Sequence, residues 1–231
     1  INAILEKDEL ELLASILKAI AEGGEPEIIG SQLFAVGEYD KDRIKQLVET
    51  RSVRRAVESV LDPELRESIL AAINEPGMDT KTAVELSIQG VFAKSLWRTA
   101  KVFLAGQHAE SAKRILGQWL DLQNILLVVR SRTLGVSSKV IQSFLLPVHY
   151  RLQSATVEEM AGLSSVDDII RRVTETPYKR AVAGYEQASR LGLEISSLET
   201  SFNRYLAVQC SLAFAGWRFS AGLAVAFLFL K

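Results

Sequence analysis

No stretch of this chain alternates apolar and polar residues long enough to lie half-buried in a sheet. Its apolar residues instead recur three and four positions apart, the spacing of one helix face. Leu10, Leu13, Ile16, Leu17 and Ile20 follow that spacing between Lys7 and Ala21, and Gly23-Gly24 stop the run. Residues 25–40 lack periodicity, contain Pro26 and two glycines, and read as a connection. Lys41 to Val60 reads as two short helices, one carrying Ile44, Leu47 and Val48, the next Val53, Ala56, Val57 and Val60. The longest patterns run from Thr80 to Ala105 and from Ala109 to Thr133. In the first of these, Val84, Ile88, Val91, Phe92, Ser95, Thr99 and Val102 share a face. The chain is expected to be all-α.

Boundary chemistry supports this order of elements. Asp62-Pro63 places a capping carboxylate before a proline in the first turn of a helix that reaches Ile73, and residues 74–77 form a turn. Ser137 heads a short helix through Phe144, and Thr156 and Ser164 or Ser165 head two more. Thr176-Pro177 repeats the cap-plus-proline device and predicts a helix to Leu191, closed by Gly192. A long helix over Ser196–Gly216 places Leu198, Phe202, Tyr205, Leu206, Gln209, Leu212 and Ala213 on one face, and a last helix runs from Ser220 to the end. The stretch Asp121–Gly135 is an apolar run preceded by Asp121 and Asn124. It ends in Arg130, Arg132 and a glycine suited to the left-handed conformation that closes a helix.

The element order occurs twice. Ile44, Leu47, Val53, Val57 and Val60 map in turn onto Val157, Met160, Val166, Ile170 and Val173 at one constant offset. An offset one position longer maps Pro63 onto Pro177, and Val84, Ile88, Val91 and Phe92 onto Leu198, Phe202, Tyr205 and Leu206. A unit this long exceeds a solenoid repeat and suggests duplicated bundles. Residues 1–120 are then a first repeat, incomplete at its start, and residues 121–231 a second. Asn2 and Asn124 suggest a recurring asparagine motif whose third copy would fall near 237–246.

Composition narrows the function. Lysine and arginine number 27 against 28 acidic residues, so no basic excess is available for a phosphate backbone, and nucleic acid is not an expected partner. The single cysteine, Cys210, precludes an intrachain disulfide, agrees with a reducing compartment, and sits in an apolar helical run that buries it. Leu206 to Leu230 is long enough for a membrane span, but Arg218 at its middle argues for two buried helices. His108 and His149 lack ligand-spaced partners, so no metal is expected. No phosphate-cradling glycine loop, nucleophile elbow or zinc-protease motif is present, and neither nucleotide, cofactor nor catalytic residue is expected. Val166-Asp167-Asp168-Ile169 and Glu158-Glu159 read as solvated helix starts. No signal peptide is visible, and the opening Ile1 and apolar last residues are expected of a fragment of a longer protein.

Asp121, Asn124, Arg130, Arg132 and Gly135 together resemble a repeated aspartate-x-x-asparagine motif followed by an arginine, a basic residue and a glycine. Downstream, Leu145-Leu146-Pro147, Val166–Ile170, Thr176-Pro177-Tyr178, Leu198-Glu199, Phe202 and Arg204-Tyr205-Leu206 continue the likeness. In these residues, over Gly117–Lys231, the chain resembles the C-type subunit of archaeal and bacterial A/V-type ATPases, whose equivalent in the eukaryotic V-type enzyme is the d-type subunit. Earlier, Asn2 and Leu5 fit, and Asp8 stands where the family has arginine. The resemblance implies helical bundles around a pseudo-threefold axis, two of them present here and a third missing. It implies a non-catalytic socket of the central stalk, peripheral on the cytoplasmic face of the membrane, that accepts the shaft subunits and couples them to the proteolipid ring for proton or sodium transport. Asn124, Arg130 and Arg132 are then expected near the shaft or the funnel axis, the other reading being that they cap and pair locally. A helical scaffold or adaptor unrelated to ATPases is the alternative to the whole.

Overall fold

The computed structural model describes residues 2–103, 107–183, 185 and 194–216. All regular structure among them is helical, apart from an isolated bridge between Val36 and Tyr39 around Gly37. The chain divides into two compact units, Ile1–Leu96 and Trp97–Lys231.

The first unit holds α1 (Asn2–Ala21), α2 (Pro26–Gln32), α3 (Lys41–Glu49), α4 (Val53–Glu58), α5 (Pro63–Ile73) and most of α6 (Thr80–Phe103). Leu13, Ile16 and Leu17 on α1 are fully buried, joined by Leu47, Val57 and Ile69 from α3, α4 and α5. Each such side chain contributes about 1.5–3 kcal/mol when removed from water. Asp62 caps α5 by accepting from the Leu65 N–H at 2.9 Å, with Pro63 in the first turn, as its sequence implies. The connection expected over 25–40 contains a helix instead. Pro26 starts α2 from its first position, where a missing N–H costs nothing, and Ile29 anchors it in the core.

The second unit is built on α7 (Gln107–Thr133), against which α8 (Ser138–Phe144), α9 (Ser154–Gly162), α10 (Val166–Thr174) and α11 (Glu194–Gly216) pack. Ser165 caps α10 through the Asp168 N–H, while Ser137 and Gln153 occupy cap positions with no side-chain bond. After Pro177 the chain makes a 3-10 turn, Lys179–Val182, rather than the expected α-helix. The Thr176 hydroxyl takes the Tyr178 N–H, and the Thr176 and Tyr178 carbonyls take the Lys179 and Ala181 N–H groups. The remainder of that expected helix, the helix from Ser220 and most of the Leu206–Leu230 run lie outside the described residues. Two expected core positions face solvent: Val102 is 73% exposed and Leu212 56%.

Burial recurs along the chain. Ile44, Leu47, Val48, Ala56, Val57 and Val60 are buried, and so are their counterparts at one constant offset, Val157, Met160, Ala161, Ile169, Ile170 and Val173. Leu65, Ile69 and Ala72 recur at the same offset as Tyr178, Val182 and Tyr185. Val84, Ile88, Phe92 and Leu96 recur, one position further on, as Leu198, Phe202, Leu206 and Cys210. The offset from Ile44 to Val157 also carries both ends of α3, Lys41 and Glu49, onto the ends of α9, Ser154 and Gly162.

Helices α1 and α7 end alike. Gly23 and Gly135 both adopt a positive φ, of 73° and 74°. In each case the glycine N–H and the next N–H turn back to the carbonyls three and five positions before them, closing the helix. Aligning the two glycines sets Glu9 opposite Asp121 and Leu12 opposite Asn124, so Asn2 is not the counterpart of Asn124.

Candidate functional site

One face of α7 carries Gly117, Asp121 and Asn124, spaced four and three positions apart. All three hold the connection between α8 and α9. A Cβ on Gly117 would stand 2.4 Å from Cγ of Tyr150, so only a glycine lets the connection lie this close to the helix. Asn124 is fully buried; its Nδ2 donates to the carbonyls of Leu146 and Val148 at 3.2 and 3.4 Å, and its Oδ1 accepts from the Leu146 N–H at 2.8 Å. These bonds satisfy backbone groups flanking Pro147, which has no N–H of its own.

Asp121, also fully buried, accepts four hydrogen bonds. Tyr150 N–H reaches Oδ1 at 3.0 Å; Arg151 and Leu152 N–H reach Oδ2 at 2.7 and 3.0 Å, and the Tyr178 hydroxyl reaches Oδ2 at 2.6 Å. Burial raises the Asp121 carboxyl above its ordinary value, and these donors hold it back. Burial beside the Asp121 carboxylate lifts the Tyr178 phenol well above the ordinary tyrosine range.

Arg130 and Arg132, at the basic end of α7, are partly exposed and engaged within the unit. Arg130 pairs with Glu199 of α11. Arg132 donates to the Ser138 hydroxyl at 3.0 Å and to the Ala161 carbonyl at 2.7 Å. The structure therefore brings Asn124, Arg130 and Arg132 onto one helix, but gives them separate bonding partners.

In the first unit, Glu9 accepts from the Glu38 N–H at 2.9 Å, much as Asp121 takes the N–H groups of the connection after α8. Lys18 of α1 pairs with Glu85 of α6 at 2.7 Å, where the second unit has Arg130 of α7 and Glu199 of α11. Lys18 and Arg130 each stand five positions before the closing glycine of their helix.

Beside the residues that Asp121 holds lies a hollow of about 520 Å³, open to solvent and lined by Arg151, Arg180, Arg204, Tyr205, Val208 and Gln209 among others. The N–H of Arg151 is one of the donors to Asp121, and Tyr178 anchors the turn that carries Arg180. The Tyr178 ring meets Tyr205 of α11 edge-on, centroids 6.0 Å apart. Burial raises the Tyr205 phenol, and the Arg151 and Arg180 cations oppose that rise. These arginines escape a sequence reading because a connection, a 3-10 turn and a helix supply one each, with α9 and α10 between the first two in the chain.

Cys210 is buried, and burial pushes its thiol up, away from the reactive thiolate. His149 is exposed, and the His108 side chain lies outside the described residues. Among the described residues, no group of three or more His, Cys, Asp and Glu is placed to hold a metal, and no helix is long and apolar enough to cross a membrane.

A family model described as ATP synthase (C/AC39) subunit matches residues 1–231. Among curated proteins, the C-type subunit of the A-type ATP synthase of Methanocaldococcus jannaschii is 20% identical over 163 residues, 68% of this chain and 40% of that protein. The aligned part of the chain thus spans less than half the length of that relative. No solved structure matches.

Proposed function

The chain belongs to the ATP synthase (C/AC39) subunit family, and from that premise we propose that it is a non-catalytic socket of a rotary A/V-type ATPase. In this reading it lies on the cytoplasmic face of the membrane, accepts the central shaft and passes rotation to the proteolipid ring. The observation that carries the reading, beyond the family, is the clamp on α7. Asp121 alone joins α7 to the Tyr150–Leu152 backbone and to Tyr178. A part that transmits torque must resist deformation, and buried, fully bonded polar groups tie helices and connections together more specifically than apolar packing alone.

In the same reading the chain holds two copies of one bundle, the second beginning within α7, with a third required for the pseudo-threefold funnel. The recurring burial, the matching glycine ends and the paired Lys18–Glu85 and Arg130–Glu199 bridges support duplication. A shaft contact at the end of α7 would fall to Arg130 and Arg132, which keep partial exposure. Buried Asn124 would act only through the connection it holds.

Affinity capture of the full-length protein from its own membranes tests the assignment. Recovery of shaft and proteolipid subunits together is the expected result. Recovery of the protein free of both refutes it and favours an unrelated scaffold.

A further inference from the structure

The hollow between the connection after α8, the 3-10 turn and α11 has chemistry that the bundle does not need. Arg151, Arg180 and Arg204 all line it. Among the described residues, no carboxylate forms an ion pair with any of them. All three side chains are exposed, so together they give the hollow a basic surface that an acidic partner would complement. The first unit makes the corresponding elements without them. At the offsets that relate the two units, Glu38 is the counterpart of Arg151, Glu67 of Arg180 and Gly90 of Arg204. The hollow lined by Glu38 in that unit also collects Glu6, Glu9 and Asp62, with a single arginine, Arg43. The arginines are therefore not a requirement of this fold.

The shape of the surface indicates what kind of anion fits. The hollow is half-open, which suits a segment laid across it better than an enclosed small ion. Arg204, Val208 and Leu212 follow one another at every fourth position along one face of α11. Val208 and Leu212 are 57% and 56% exposed, so an apolar strip continues from the basic end. An amphipathic helix with carboxylates at one end and apolar side chains one to two turns further on matches both features. The walls are fixed beforehand: Asp121 holds the Arg151 backbone and the Tyr178 hydroxyl, and Glu199 holds α11 to Arg130. The backbone that carries these side chains is thus fixed before a partner arrives.

We propose that the Arg151, Arg180 and Arg204 hollow, with Val208 and Leu212 beside it, docks an acidic amphipathic helical segment of another subunit of the complex. This rests on the reading of the chain as a subunit of such a complex. Carboxylates sit on the guanidiniums, and apolar side chains cover the exposed face of α11.

A photoreactive amino acid at Ser201, on the rim of the hollow, tests the occupant in the assembled complex of the full-length protein. The expected product is a crosslink to an acidic segment of a different subunit. Crosslinks to this protein's own chain or to lipid overturn the proposal, as does their absence in a complex that assembles. The double charge reversal R180E/R204E changes two exposed side chains and is checked for unchanged circular dichroism and Tm. It is expected to weaken the protein's retention in the complex by roughly tenfold or more, most strongly at low salt. Full retention of R180E/R204E refutes the pocket and leaves the coupling role intact, whereas failure of the wild-type protein to co-purify refutes both. Complete displacement of the partner segment by inorganic pyrophosphate would make this a phosphate site and overturn the proposal.

Discussion

The hydroxyl of Tyr178 donates to Oδ2 of Asp121 at 2.6 Å, joining side chains 57 positions apart in the chain. Asp121 collects three backbone N–H groups besides, so its removal strands four donors at once. Asp121→Ala is expected to cost about 3–5 kcal/mol of stability in the full-length protein, the range for groups left unpaired in a buried network. Tyr178→Phe leaves the carboxylate three donors and is expected to cost about 1–2 kcal/mol. Urea denaturation of both variants measures the difference. Equal losses would mean that the backbone donors contribute little.

Alkaline pH provides a separate reading of Tyr178. Its folded pKa lies well above the ordinary value of 10. The folded state therefore keeps a proton that the unfolded state releases. The stability linked to this proton is complete below pH 10 and is lost as pH rises beyond it toward the folded value. The slope for one such group is about 1.4 kcal/mol per pH unit. The difference in unfolding free energy between wild type and Tyr178→Phe should shrink as pH rises past 10. A constant difference contradicts a protonated, buried phenol. Tyr39, raised by burial to about 12, should add a decline of the same slope that levels off near pH 12, removed in Tyr39→Phe.

Gly117→Ala places a methyl group 2.4 Å from Tyr150 Cγ. Alanine favours the helix by up to about 1 kcal/mol, and overpacking opposes it by about 1–3 kcal/mol. A net loss of stability is expected, with recovery when Tyr150 is also replaced by alanine. Thermal melts of the single and double variants decide; a stabilised Gly117→Ala would place the connection further from α7.

The two counterpart ion pairs should behave alike. Lys18–Glu85 and Arg130–Glu199 each keep part of their side-chain surface exposed, so solvent screening limits their value. Double-mutant cycles to alanine are expected to give couplings of about 0.5–1 kcal/mol for both, reduced in high salt. A coupling in one pair and none in the other would count against a shared bundle design.

Much of this architecture is written locally. Apolar spacing located α3, α4, α9 and α10, and short-range chemistry marked the Asp62 cap and the Gly135 stop. Helix α2 escaped because it has only 7 residues, with Ile29 alone buried. Val102 and Leu212 fit the inward stripe yet face solvent, because periodicity identifies a stripe without showing where its packing partner ends. The clamp was half legible: Asp121 and Asn124 stand out in an apolar run, but their partners at 146–152 and 178 become neighbours only once the chain folds. Asn2 shares its residue type with Asn124 but not its place, since the matched glycine ends and bridges set Leu12 opposite Asn124. The basic hollow draws on three elements, and no single stretch announces it.

Ion transport in membrane vesicles that lack this protein tests its proposed role most directly. The coupling account predicts that ATP hydrolysis drives no proton or sodium uptake until the full-length protein is restored. Uptake at the normal ratio to hydrolysis without it would contradict the account.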